Sequence, residues 1–300
     1  MARWTATDMP DQSGRTFVVT GANSGLGLHT AKALVAKGAH VVLACRDAAK
    51  ADAAREEVQG EAATGTSEVR LLDLSDLHSV RSFASDLGDR PVDVLINNAG
   101  IMAVPLGRTA QGFESQFGTN VLGHFLLTAL LAPRLTDRVV WLSSAVHRNG
   151  EIDLDDLNWE RRPYSPWKAY GQSKLADLML AYEMQRRLTR SGSRLRSMAA
   201  HPGYSATNLQ SHTRTWQDQV MGLFNKVPFI AQPAEMGALP TLFAATVPDL
   251  AGGTYVGPDG FMEAQGHPRP VGSSARSHDA QLAAALWTRC EELTGQPFEI

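Results

Sequence analysis

Short runs of β-branched and aliphatic residues alternate along the chain with longer stretches of helical periodicity, the pattern left by βαβ units of a parallel sheet. Seven runs read as strands: "TFVVTG", "HVVLAC", "VRLLDL", "VDVLINN", "RVVWLSS", "RLRSMAAHPG" and "GTYVG". Helical spacing covers Leu26 to Lys37, Ala48 to Gln59, Leu77 to Leu87, Phe113 to Leu135 and Tyr170 to Thr189. No Pro/Gly-rich linker, repeat or low-complexity tract breaks the alternation before Ala200. Residues 15–300 are therefore expected to form one doubly wound α/β domain behind a short polar tail, residues 1–14. The stretch 204–237 departs from the alternation: it is too irregular for a sheet unit and too apolar for a solvent loop. We read it as a small inserted substrate lobe.

Composition narrows the setting. The 300 residues are 43% hydrophobic, enough for a large core, and carry a net charge of −3. With a pI near 6.3, nothing suggests a nucleic-acid surface. The two cysteines, Cys45 and Cys290, form neither a disulfide framework nor a Cys-x-x-Cys motif. The N-terminus lacks the apolar core of a signal peptide, and no segment approaches the ~20 apolar residues of a membrane span. The expected compartment is the cytoplasm.

Chemistry-bearing residues gather where the strands end. In "VVTGANSGLGLHTAKAL" the glycines Gly21, Gly25 and Gly27 fall between a buried strand and an amphipathic helix, where backbone can approach a pyrophosphate at the helix N-terminus. The spacing is G-x-x-x-G-x-G, and such a turn can also simply close a tight bend. The second strand ends in "LACRD". Where an NAD site usually carries an acidic ribose ligand, this chain has Arg46, whose N–H fork suits a 2′-phosphate and favours NADP(H). Arg46 as a solvated surface residue, or Asp47 turning toward a ribose, are the alternatives. Asp73, in "LLDLSD", is positioned for an adenine amino group. Asn98, Ala99 and Gly100 in "DVLINNAG" bring backbone close to a cofactor, although Asn97 or Asn98 can equally hold the sheet end together.

The segment "SPWKAYGQSKLAD" sets Tyr170 four residues ahead of Lys174, on one face of a helix. A lysine ammonium there favours the phenolate and is expected to lower the tyrosine pKa toward operating pH, so that Tyr170 can exchange a proton with an alcohol oxygen. The bland alternative is a solvated i,i+4 contact. Ser144, at the end of the fifth strand, points into the same crevice and can hydrogen-bond a substrate oxygen, and Asn120, buried within the helix "FESQFGTNVLGHFLLTALL", needs partners of its own, against the alternatives of a strand-end cap and a satisfied core amide. His147 and His201 read as structural histidines. The nine histidines are scattered without a ligand pattern, so no metal is expected.

Taken together, "TGANSGLG", "LACRD", "LLDLSD", "NNAG", "GTNVLGHFLLT", "LSSAVHR", "AYGQSKLAD" and "AAHPGYSATNL" resemble the short-chain dehydrogenase/reductase family over nearly the whole chain, and most of all its retinol-dehydrogenase-like branch. The resemblance implies a seven-stranded parallel sheet and an NADP(H)-dependent oxidoreductase. It makes Tyr170 the acid/base, Lys174 its cofactor-holding partner, Ser144 the carbonyl-orienting hydroxyl, and Asn120 the residue completing a proton relay to the lysine. Gly21, Asn23, Ser24, Gly25, Leu26, Gly27, Asp73 and Leu74 then belong to the cofactor site. Pro202 and Gly203 match the turn beside the nicotinamide, and Thr207 lies near its carboxamide or phosphate. Two departures stand out: the membrane-anchoring N-terminal segment of many animal retinol dehydrogenases is missing, and Asn23 and Ser24 stand where many NADP-preferring members carry a basic residue.

The expected substrate is a small-molecule hydrophobic carbonyl or alcohol of the bulky apolar kind, given Trp216, Met221, Leu223, Phe224 and Phe229 in the lobe. The apolar helices Phe113 to Leu135 and Tyr170 to Thr189 resemble the family's dimer-forming pair, so a homodimer or homotetramer is expected. Two other classes compete. One is a non-catalytic NADP(H)-binding sensor, disfavoured because Tyr170, Lys174, Ser144 and Asn120 are all present. The other is an interaction module using "VMGLFNKVPFI" as a membrane-surface helix, disfavoured by a single lysine and an internal proline.

Overall fold

The computed structural model describes residues 3–60, 64–204 and 232–300. Its strands are β1 (Thr16–Thr20), β2 (His40–Cys45), β3 (Thr66–Leu71), β4 (Val92–Asn97), β5 (Leu135–Leu142), β6 (Arg196–Ala200), β7 (Tyr255–Pro258) and β8 (Pro268–Pro270). Its helices are α1 (Gly25–Ala36), α2 (Ala48–Gly60), α3 (Leu77–Asp86), α4 (Gly123–Leu131), α5 (Pro166–Ser191), α6 (Ala234–Thr246) and α7 (Ala280–Thr294). The strands lie in the order β3-β2-β1-β4-β5-β6-β7-β8. Strands β1 to β7 are parallel, and β8 returns antiparallel to β7.

The sheet is buried on both faces because its central strands are apolar on both: Phe17, Val18 and Val19 of β1 have no exposure at all. Helices α1, α2 and α6 pack one face and α3, α4, α5 and α7 the other, in two separate apolar clusters. Since β1 pairs with both β2 and β4, the crossovers leave it in opposite directions and open a crevice at the carboxyl ends of these strands.

Among the described residues the sheet has eight strands, not seven. The added β8 consists of Pro268, Arg269 and Pro270, and prolines at both ends confine it to a sheet edge. Strand β3 starts at Thr66 and ends at Leu71, so Asp73 lies beyond it and not on it. The expected long helix from Phe113 is broken up. Residues Phe117–Leu122 form a π-turn, α4 is only nine residues, and Pro133 sits in a one-turn 3₁₀ helix before Leu135 opens β5. Helix α5 is longer than its periodicity suggests: Pro166 starts it, and Gly192, at φ 72°, ends it with a left-handed cap.

Most of the expected lobe at 204–237 lies outside the described residues; its last four residues form the first turn of α6. The expected polar tail is docked. Its Met9 and Gln12 are buried and Trp4 meets Phe243 edge-on at 5.3 Å. The apolar positions of α4 and α5 that suggested an oligomer are largely buried within the chain itself.

Candidate active site

The carboxyl ends of β1 to β4 line a cleft of about 380 Å³. After β1 the chain turns through Gly21, Asn23 and Ser24 into α1, and Ser24 is an extended N-cap whose side chain bonds no first-turn amide. Those N–H groups remain for an anion. Gly27 is required here: a Cβ on it stands 2.4 Å from the Gly21 carbonyl oxygen and 2.6 Å from Asn98 Nδ2. Gly25 and Leu26 complete this wall.

Arg46 lies just past β2 and lines the cleft, and among the described residues nothing hydrogen-bonds or ion-pairs with it. Asp47 is engaged elsewhere. Its Oδ1 accepts from Lys50 N at 3.1 Å and its Oδ2 lies 3.8 Å from Lys50 Nζ. Lys50 also lines the cleft, which the sequence reading missed although it lies one helical turn beyond Arg46. Asp73 and Leu74 form the next wall, and Asp73 Oδ1 accepts from the amide and hydroxyl of Ser75 at 2.9 and 2.6 Å.

The two asparagines after β4 divide their work. Asn97 is buried and donates to Thr128 Oγ1, tying the sheet to α4. Asn98 donates from Nδ2 to the Thr20 carbonyl at 2.7 Å, and the amides of Asn98 and Ala99 both donate to Thr20 Oγ1. One threonine hydroxyl thus fixes the turn that carries Asn98, Ala99 and Gly100 into the cleft.

Gly100 links the cleft to the second half of the site. A Cβ on it lies 3.2 Å from Asn120 Oδ1 and 3.7 Å from Lys174 Nζ. The Asn120 amide accepts from Ile101 N and donates to Ile101 O and Ser173 Oγ, joining the post-β4 segment to α5. Lys174 is buried and donates to the Leu142 carbonyl and to Asp177 Oδ2, both at 2.9 Å. Tyr170, one turn earlier, meets Trp167 edge-on, and the Ser144 side chain is near enough to act on its phenol. Ser144 caps a 3₁₀ helix (Ala145–Asn149), and its carbonyl accepts from His147 Nδ1 at 2.7 Å. Because Ser274 N donates to His147 Nε2, the proton of this imidazole is on Nδ1.

Electrostatics here depart from the sequence expectation. Tyr170 is not lowered: burial raises its pKa, and the opposing pull of Lys174 and of Ser144 does not restore it, while Asp177 pushes it further up. Burial works against the Lys174 charge, but Asp177 and Tyr170 together outweigh it and hold the ammonium more firmly than usual. Asp177 was not foreseen. Its signal was the i,i+3 spacing from Lys174 in "SKLAD".

At the end of β6, Pro202 and Gly203 form a turn, with Gly203 at φ 66° and the Ala264 carbonyl oxygen 2.5 Å from where its Cβ would be. Gly203 N donates to His201 Nδ1, so His201 Nε2 donates to Glu263 at 3.1 Å. Both histidines brace loops of the site. Thr207 lies outside the described residues. Among the described residues, no cluster of three or more His, Cys, Asp or Glu could hold a metal, and no helix is long and apolar enough to cross a membrane.

The sequence profile described as short chain dehydrogenase matches residues 15–218, more than half of the chain. Retinol dehydrogenase 13 of Homo sapiens is 40% identical over 294 residues, covering 94% of this chain and 85% of that protein. Polyprenol dehydrogenase of Danio rerio is 38% identical over 300 residues, covering 96% and 89%. A crystal structure of an uncharacterised protein from Mycobacterium Paratuberculosis is 52% identical, covers 100% of both chains and superposes with a TM-score of 0.85. The chain is therefore a short-chain dehydrogenase, an oxidoreductase of CH–OH groups using a nicotinamide cofactor, in the retinol-dehydrogenase-like branch of that family.

Proposed function

We propose that this protein interconverts a bulky apolar aldehyde or ketone with its alcohol, using NADP(H). The observation that carries the reading is that Asn120 and Lys174 stand beside Gly100, on the wall of a cleft that also exposes Arg46, unpartnered among the described residues, with Tyr170 one turn before Lys174 and Ser144 near its phenol. The residues fit the cofactor: the glycine-built close approach at Gly27 and the uncapped amides of α1 suit a pyrophosphate, and a free guanidinium suits a 2′-phosphate. An apolar substrate is supported by the composition of 204–237 and by relatives named for retinol and polyprenol.

NADPH, when bound, supplies the hydride that reduces the carbonyl carbon. Tyr170 and Ser144 both donate to the carbonyl oxygen, and Tyr170 gives up its proton as alkoxide charge develops. Lys174 stabilises the phenolate left behind and is free to offer its third N–H toward the cofactor ribose. Asn120 holds Ile101 against Ser173, keeping the Gly100 wall at a fixed distance from α5.

Tyr170→Phe is expected to lower NADPH-dependent reduction of an aromatic aldehyde by roughly 10²–10⁴-fold, the usual worth of a positioned acid, while NADPH affinity by direct titration stays within a few-fold of wild type. Lys174→Ala is expected to damage both. A Tyr170→Phe enzyme turning over within a few-fold of wild type sinks the mechanism.

A further inference from the structure

Asp177 is 2% exposed, one turn beyond Lys174 on α5. Its Oδ2 accepts from Lys174 Nζ at 2.9 Å, and its Oδ1 is buried with no hydrogen-bond partner among the described residues. A carboxylate buried with one oxygen unsatisfied is costly, and an ion pair does not by itself repay that cost. On the reading of Tyr170 and Lys174 given above, we propose that Asp177 is a positioning residue: it fixes the Lys174 ammonium against the Leu142 carbonyl and partly cancels its charge at Tyr170, so that Tyr170 remains a proton donor and carbonyl reduction is favoured.

The lysine sits 5.9 Å from the centre of the Tyr170 ring. Alone, an ammonium there draws the phenol toward phenolate; paired with a carboxylate it does so less. The arrangement is rigid, because Ser143, just past β5, donates to the Lys174 carbonyl at 2.7 Å and locks α5 to the sheet at this turn. The other titratable groups here stay neutral. From α7, the Cys290 thiol has no exposure, and burial followed by the Asp177 charge raises its pKa. From α4, the His124 imidazole is pushed down to about 3 by burial, with Lys174 adding to the effect. Burial raises Asp177 itself to about 6, with Lys174 pulling against that shift. It is therefore ionised at neutral and alkaline pH, where it opposes the phenolate, and below about 6 the ammonium acts on Tyr170 unopposed.

The test compares pH profiles of kcat/KM for aldehyde reduction with NADPH in wild type and Asp177→Asn. Reduction needs the Tyr170 proton. Removing the carboxylate charge should move the alkaline limb to lower pH by about one unit, a loss of roughly tenfold in reduction at a fixed pH above the limb. Asp177→Glu, which keeps the charge, should keep the wild-type limb. A measurement on the wild-type protein stands beside these variants: NMR of tyrosine labelled at its phenolic carbon, with Tyr170→Phe assigning the resonance. The Tyr170 signal should shift through a step near pH 6, before the phenol itself ionises. An unmoved limb in a folded Asp177→Asn protein, or no acid-side step at Tyr170, overturns the proposal. If instead Tyr170→Phe keeps both its turnover and its alkaline limb, the failure lies with Tyr170 as the acid and not with Asp177.

Discussion

At the scale of single residues, cofactor choice turns on which charges near β2 are already committed. Asp47 has its carboxylate on the first turn of α2, through the amide and the ammonium of Lys50. Arg46 is committed to nothing among the described residues. A guanidinium fork donating to a phosphate makes charge-assisted bonds, and hydrogen bonds to charged groups are worth about 1.5–3 kcal/mol, roughly a tenfold change or more in affinity. Arg46→Asp is accordingly expected to shrink the NADPH-over-NADH affinity ratio at least tenfold, mainly by weakening NADPH. Lys50, with a largely exposed side chain on the same cleft, should leave some residual preference. Fluorescence titration of both cofactors decides it: an unchanged ratio removes Arg46 from the phosphate site.

At the scale of elements, what could be read from the sequence was what burial writes into it. Strands covered on both faces leave near-continuous apolar runs, so β1, β2, β4 and β5 were legible and their polar ends marked the site. Edges write less. The start of β3, Thr66, Ser67 and Glu68, is polar because this strand lies at one margin of the sheet, and β8 lies at the other. Helix α7 carries a readable signal in its Asp279 cap and Gly295 stop, but it follows the last strand run and so lies outside the alternation of strand and helix. The π-turn at Phe117–Leu122 had no legible signal: apolar helical spacing looks the same whether its hydrogen bonds span four residues or five. Asp177 was visible in spacing but not in consequence, since only burial makes its charge matter to Tyr170. The seat of α1 against the ends of β1 and β4 was legible in its glycines, and it makes a sharp prediction. In Gly27→Ala the new methyl meets the Gly21 carbonyl and Asn98 Nδ2 well inside van der Waals contact, and both are tied to the sheet ends. Overpacking of this kind costs about 1–3 kcal/mol, measurable by urea unfolding. NADPH affinity should drop with it, because the helix must move away from the turn. Unchanged stability together with unchanged affinity means that the close approach is not required.

At the scale of the whole molecule, His124 joins parts that the sheet alone does not hold together. Its Nδ1 faces the Asn120 carbonyl at 2.9 Å and must carry the proton, so Nε2 accepts from Thr20 Oγ1 at 2.9 Å. The same Thr20 oxygen receives the Asn98 and Ala99 amides, so one neutral imidazole links β1, the post-β4 turn and the π-turn. Burial pushes its pKa down to about 3, against about 6.5 for an unperturbed histidine. The unfolded chain therefore takes up a proton that the folded chain refuses. Stability is complete above about pH 6.5 and falls toward pH 3 by about 1.4 kcal/mol per pH unit for this one group. His147, pushed to about 4 chiefly by burial, acts in the same direction. Asp177 acts in the opposite one, since a carboxyl raised to about 6 gains protons in the fold first. Carboxylates held low, such as Asp76, which accepts from Gln111, contribute only nearer pH 4. Comparing wild type with His124→Gln between pH 7 and pH 5 cancels these shared contributions. The variant should be less stable at pH 7, having lost the imidazole links, but wild type should lose about 2 kcal/mol more than the variant on going to pH 5. Urea unfolding at the two pH values measures this, and an equal gap between the two proteins at both pH values rules out a buried, neutral His124 as the acid-sensitive joint of the fold.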